Sequence, residues 1–125
     1  MHKVAIVVLS DPKSGSEEAL GRLFNALAAA YDLKRQNIPV TLFFQGAGTR
    51  WATELANREH PAHQLFTAVK DTVAGVSCGC ADVFGARDGA VACGLDLIAE
   101  NAVPNTSGLP SLARLLREGY TVLTF

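Results

Sequence analysis

The sequence predicts an α/β fold, a three-layer α/β/α domain around a mostly parallel five-stranded sheet. Three observations predict it. Short apolar runs alternate with longer segments of helical spacing along the whole chain, as in folds where each strand returns through a helix. The first run, Val4-Ala-Ile-Val-Val-Leu9, is continuously apolar, the pattern of a central parallel strand covered on both faces. The 125 residues, 49% of them hydrophobic, suffice for one compact core and are few for two. Residues 1–125 are therefore read as a single domain.

Each element has its own warrant. Ser16 to Leu33 reads as a long amphipathic helix, with Leu20, Leu23, Phe24, Leu27, Ala30 and Tyr31 at helical spacing. Ser16 suits its N-cap, and Glu17 and Glu18 suit the positive end of its dipole. Asn37 ends it, and Pro39 to Phe44 forms the second strand. Gln45-Gly-Ala-Gly-Thr-Arg50 is a polar, glycine-bearing loop before a short helix from Trp51 to Arg58. Pro61 opens a further helix to about Thr72. Ala74 to Ser77 is the third strand, and helix resumes from Ala81, broken near Gly85, Asp88 and Gly89. Leu95 to Ile98 is a short fourth strand. Glu100 to Pro110 is rich in turn residues and forms a loop. Ser111 caps a last helix, Leu112 to Glu118, which Gly119 stops, and Tyr120 to Phe125 completes the sheet.

Charge excludes some partners. Eleven basic and twelve acidic residues leave a net charge of −1 with no Lys/Arg cluster, so no nucleic-acid partner is expected. The opening apolar run is too short for a signal-peptide core or a membrane span, so a cytoplasmic protein with no membrane association is expected. The three cysteines do not form a disulfide framework and suit a reducing compartment.

Cys78 and Cys80 flank one glycine at the end of the third strand, where a helix follows. Unpaired N–H groups at a helix start favour an anion, and a thiolate there is the usual form of a reactive cysteine. The alternative is a pair of buried, unreactive thiols. Cys93 lies among small residues and is assigned to packing. In parallel sheets ligands gather beyond the C-terminal strand ends. That rule places Ser10, Gln45, Gly46 and Arg50 beside the cysteines as candidate ligand-binding residues. The glycine loop lacks the spacing of a phosphate loop, and a tight turn is its simpler account. His60 and His63 could join Cys78 and Cys80 as zinc ligands, but Cys-x-Cys is a poor match to the usual ligand loop. No metal or cofactor is expected.

The segment Cys80-Ala-Asp-Val-Phe-Gly85 and the ending Pro110-Ser-Leu-Ala-Arg-Leu-Leu-Arg-Glu-Gly-Tyr-Thr-Val-Leu-Thr-Phe125, together with the apolar first strand, Gly/Ser turn and long helix, carry a resemblance. The chain resembles the DsrE/DsrF-like family, which includes sulfur-relay subunits. The resemblance implies a trimer or hexamer of DsrE-like α/β domains, with sulfur donor and acceptor proteins as partners. It also implies a cysteine after the third strand that accepts a persulfide sulfur, which falls on Cys80 or Cys78, with Cys80 the first choice. Relatives with this ending often carry Cys-x-x-Cys-Ala-x-x-Phe-Gly. Here Ser77 stands at the first cysteine and the leading thiol is displaced to Cys78. Leu109 replaces the histidine of a His-Pro-Ser found in many relatives. The leading expectation is a sulfurtransferase-like sulfur carrier. Its rival is a non-catalytic, oligomeric small-ligand-binding protein in which the cysteines only pack.

Overall fold

The computed structural model describes residues 2–125. Five strands form one sheet: β1 (Val4–Val8), β2 (Val40–Phe44), β3 (Val73–Ser77), β4 (Leu97–Ile98) and β5 (Thr121–Thr124). Their order is β4-β3-β2-β1-β5, and all neighbours are parallel. The α/β class and the five strands agree with the sequence expectation. The sheet is wholly rather than mostly parallel.

Parallel neighbours need crossovers, and helices supply them. They are α1 (Glu17–Arg35), α2 (Trp51–Ala56), α3 (His63–Val69), α4 (Cys78–Val83), α5 (Arg87–Ala92) and α6 (Leu112–Arg117). Ser16 caps α1 as expected, its hydroxyl accepting the Ala19 N–H, with Glu17 and Glu18 in the first turn and Lys34 and Arg35 in the last. Residues 46–50 are not a loop but a 3₁₀ turn that runs directly into α2.

The two faces of the sheet are unequal. Val4, Ile6 and Val8 of β1 and Leu42 and Phe44 of β2 join the main core with Leu23, Leu27, Leu55, Phe66 and Ala90 from α1, α2, α3 and α5. The opposite face holds only a small cluster, in which Ala5 and Phe43 meet Leu115 of α6. The six-residue α6 is the helix that packs in this cluster, so the third layer is thin. Two members of the expected apolar stripe of α1, Phe24 and Tyr31, are 43% and 39% exposed. Ala19, Leu23, Ala26, Leu27 and Ala30 are the buried residues of α1, so Phe24 and Tyr31 flank the core instead of entering it.

β3 carries one irregularity. Its pairing with β2 passes from Leu42–Val73 to Phe43–Gly75, so β3 holds an extra residue there. Gly75 takes φ 152°, and a Cβ on it would stand 2.3 Å from the Asp96 carbonyl oxygen. Such a bulge shifts the alternation of a strand. Val73 and Val76, three apart, consequently both pack on the main core.

Candidate functional site

Ser77 ends β3 fully buried, and its hydroxyl accepts the Cys80 N–H at 3.3 Å. That cap starts α4 at Cys78, three residues before the position expected from sequence. Serine competes well for such a place because it satisfies an orphan donor of the first turn. Both thiols therefore lie inside the helix, Cys78 at its first position and Cys80 at its third.

The two cysteines differ in surroundings. Cys78 is 7% exposed, and the Arg87 guanidinium donates from Nη2 to its sulfur at 3.1 Å. Cys80 is half-buried, and its sulfur has no hydrogen-bond partner among the described residues. Arg87 opens α5 because the chain turns back after α4 at Gly85. It is fixed by Asp82 of α4, with Nε to Oδ1 at 2.6 Å and Nη2 to Oδ2 at 3.0 Å. Asp82 Oδ2 also accepts from Ser107 Oγ at 2.5 Å. The Arg87 guanidinium and the Ser107 hydroxyl hold the Asp82 carboxyl well below its usual range, at about 2. Asp82, and then the Cys78 sulfur, hold Arg87 more firmly protonated than usual.

The loop after β4 lies against the same helix start. The Gly79 N–H donates to the Gly108 carbonyl at 2.7 Å, and Asn101 and Leu109 pair across the base of the loop.

Ser10, Gln45, Gly46 and Arg50 stand along this edge. The Trp51 indole N–H donates to the Ser10 carbonyl at 2.8 Å, which makes Trp51 a buried strut. Arg50 pairs with Asp11 through Nη1 at 3.1 Å, donates from Nε to the Phe84 carbonyl at 3.1 Å, and stacks over the Phe84 ring. These contacts tie the ends of β1, β2 and α4 together. Gln45 is buried, and Gly46 takes φ 56°.

The histidines are engaged elsewhere. His60 Nδ1 accepts the Ala62 N–H, and His63 Nδ1 lies 2.7 Å from the Leu55 carbonyl. Among the described residues no three His, Cys, Asp or Glu side chains cluster as metal ligands. Cys93 packs against the main core, its sulfur 3.4 Å from the Ala52 carbonyl.

Arg87, Asp82 and Ser107 were not picked out from sequence. The available signal was an acid and a base five residues apart around the Gly85 break, where a chain reversal can pair them and bring the base onto a sulfur.

The sequence matches the DsrE/DsrF-like family over residues 2–125. The chain belongs to this family. The DsrE-like fold agrees with a solved structure, that of the YchN protein from E. coli. The two share 24% identity, with all of both chains covered and a TM-score of 0.57. No curated protein matches the chain. Among the described residues, no helix of this DsrE-like chain is long and apolar enough to cross a membrane.

Proposed function

We propose that this protein is a cytoplasmic sulfur carrier in which Cys78 accepts a persulfide sulfur, and that it works as a homo-oligomer of three or six chains. The DsrE/DsrF-like family is generally linked to sulfur relay. The observation that carries the assignment to this residue is the Arg87 guanidinium 3.1 Å from the Cys78 sulfur, because a nucleophilic thiolate needs a nearby cation. Cys80, the first choice from sequence, has no such partner and is proposed as an auxiliary thiol.

In the proposed step the Cys78 thiolate attacks the outer sulfur of a donor persulfide R–S–SH. A new S–S bond forms on Cys78 while the donor S–S bond breaks. Its electron pair leaves with the donor as R–S⁻, and the proton stays on the transferred sulfur. No external oxidant or reductant is needed. Ser10, Gln45, Gly46 and Arg50 form the wall beside which the donor docks.

The test is incubation of the native protein with a low-molecular-weight cysteine persulfide, followed by mass spectrometry of the intact chain and its peptides. The expected result is a gain of one sulfur located on Cys78. It should be lost in Cys78→Ser and kept in Cys80→Ser and Cys93→Ser. Absence of uptake by the wild type would leave the ligand-binding alternative, and loss of uptake only in Cys80→Ser would move the acceptor to Cys80.

A further inference from the structure

The contacts of Arg87 divide its planar guanidinium into two edges. Nε and Nη2 grip the Asp82 carboxylate as a fork, at 2.6 and 3.0 Å. Nη2 also reaches the Cys78 sulfur, while Nη1, the neighbouring nitrogen on that second edge, has no hydrogen-bond partner among the described residues. Of the two adjacent nitrogens on that edge, one meets the sulfur and the other is free. A guanidinium is a rigid, permanently charged fork suited to an anion with two adjacent acceptor atoms.

We propose that Arg87 is the positioning residue of this site, holding a transferred sulfur as an anion beside Cys78 through Nη1. The inference rests on the carrier reading for the identity of the sulfur, but the anion selectivity of Cys78 stands on the Arg87 geometry itself. After transfer, the terminal S–H gives its proton to water. The resulting Cys78–S–S⁻ presents two adjacent sulfurs, the inner one to Nη2 and the outer one to Nη1. Nothing is oxidised or reduced in that step.

Two further contacts make the arrangement specific. Asp82 fixes the plane of the guanidinium, and Ser107 fixes Asp82 from the loop after β4. The site accordingly favours small anionic sulfur species and gives a neutral disulfide no use for the free Nη1. Lysine at position 87 could supply charge but not the fork.

The experiment compares alkylation of Cys78 by iodoacetate, which is anionic, and iodoacetamide, which is neutral, located by mass spectrometry. Both reagents consume the same thiolate, so their rate ratio is independent of how much thiolate is present. In Arg87→Gln the iodoacetate-to-iodoacetamide ratio at Cys78 should fall about tenfold, the size expected of one charge-assisted hydrogen bond. Arg87→Lys should restore part of it, and the ratio at Cys80 should stay constant in all three proteins. Persulfide-loaded Arg87→Gln should also lose its extra sulfur faster than loaded wild type. An unchanged ratio at Cys78, or an equal fall at Cys80, overturns the proposal. A wild type that shows the ratio yet takes up no sulfur supports the anion site and overturns the carrier reading alone. The Arg87 side chain is 43% exposed, so the substitutions leave the core intact.

Discussion

Gly48 lies against the Val8 backbone so closely that a β-carbon there would stand 2.3 Å from the Val8 carbonyl oxygen. Gly48 thus serves a close approach of backbone to β1, which brings Arg50 to Asp11 and to the end of α4. The obstructing atom is backbone, so it cannot swing aside as a flexible side chain would.

Gly48→Ala should therefore destabilise the protein by about 1–3 kcal/mol, the usual cost of overpacking. Gly21 is the control. It lies inside α1 with no atom within 4 Å of an added Cβ. Gly21→Ala should stabilise by about 0.5–1 kcal/mol, because alanine loses less backbone entropy in a helix. Urea unfolding of the two variants should move in opposite directions, and a neutral Gly48→Ala would show that the turn relaxes away from β1.

The lowered Asp82 carboxyl has a consequence for acid stability. Its folded value of about 2 lies below the ordinary 3.8, so as pH falls the unfolded chain takes up that proton first. The stability contributed by Asp82 is fully present above about pH 4, declines between about pH 4 and 2, and is lost below. Asp82→Asn lacks that dependence. The gap in urea midpoint between wild type and Asp82→Asn should narrow as pH is lowered through that window. A gap that stays constant with pH would mean that the carboxylate gains nothing from Arg87 and Ser107.

The thin third layer bears on assembly. Leu112 and Leu116 stand one turn apart on α6 and are both exposed, Leu116 by 61%. β5 beside them is an edge strand with Leu123 exposed. Unpaired strand edges and clustered exposed leucines are surfaces that proteins cover. Light scattering should give a mass of three or six chains, and Leu116→Glu should lower it. A wild type that is monomeric across a concentration series would sink the proposed oligomer.

The sheet was legible because its signals are local. The apolar run Val4–Val8, the Ser16 and Ser111 caps and the turn residues 100–110 each announce their own structure. The cysteine edge was legible by the same means, since strand ends in a parallel sheet face one way. The partner of the sulfur was not. Arg87 reaches Cys78 only because α4 and α5 fold back on each other at Gly85, and periodicity records no direction for such a reversal. Phe24 and Tyr31 failed for a related reason. Spacing marks which residues share a helix face, not how much of that face the sheet can cover.

Gly75 turns the distance from the sheet to the thiols into a matter of parity. In an unbroken strand starting with Val73 facing the main core, Ser77 would face it too, and Val76 would point the other way. The added residue reverses that, sending Val76 inward and freeing Ser77 to cap the helix that bears Cys78. Losing or gaining one residue at 74–75 re-aims everything after it. Whether the first thiol meets its arginine is settled by counting, odd or even, along five residues of β3.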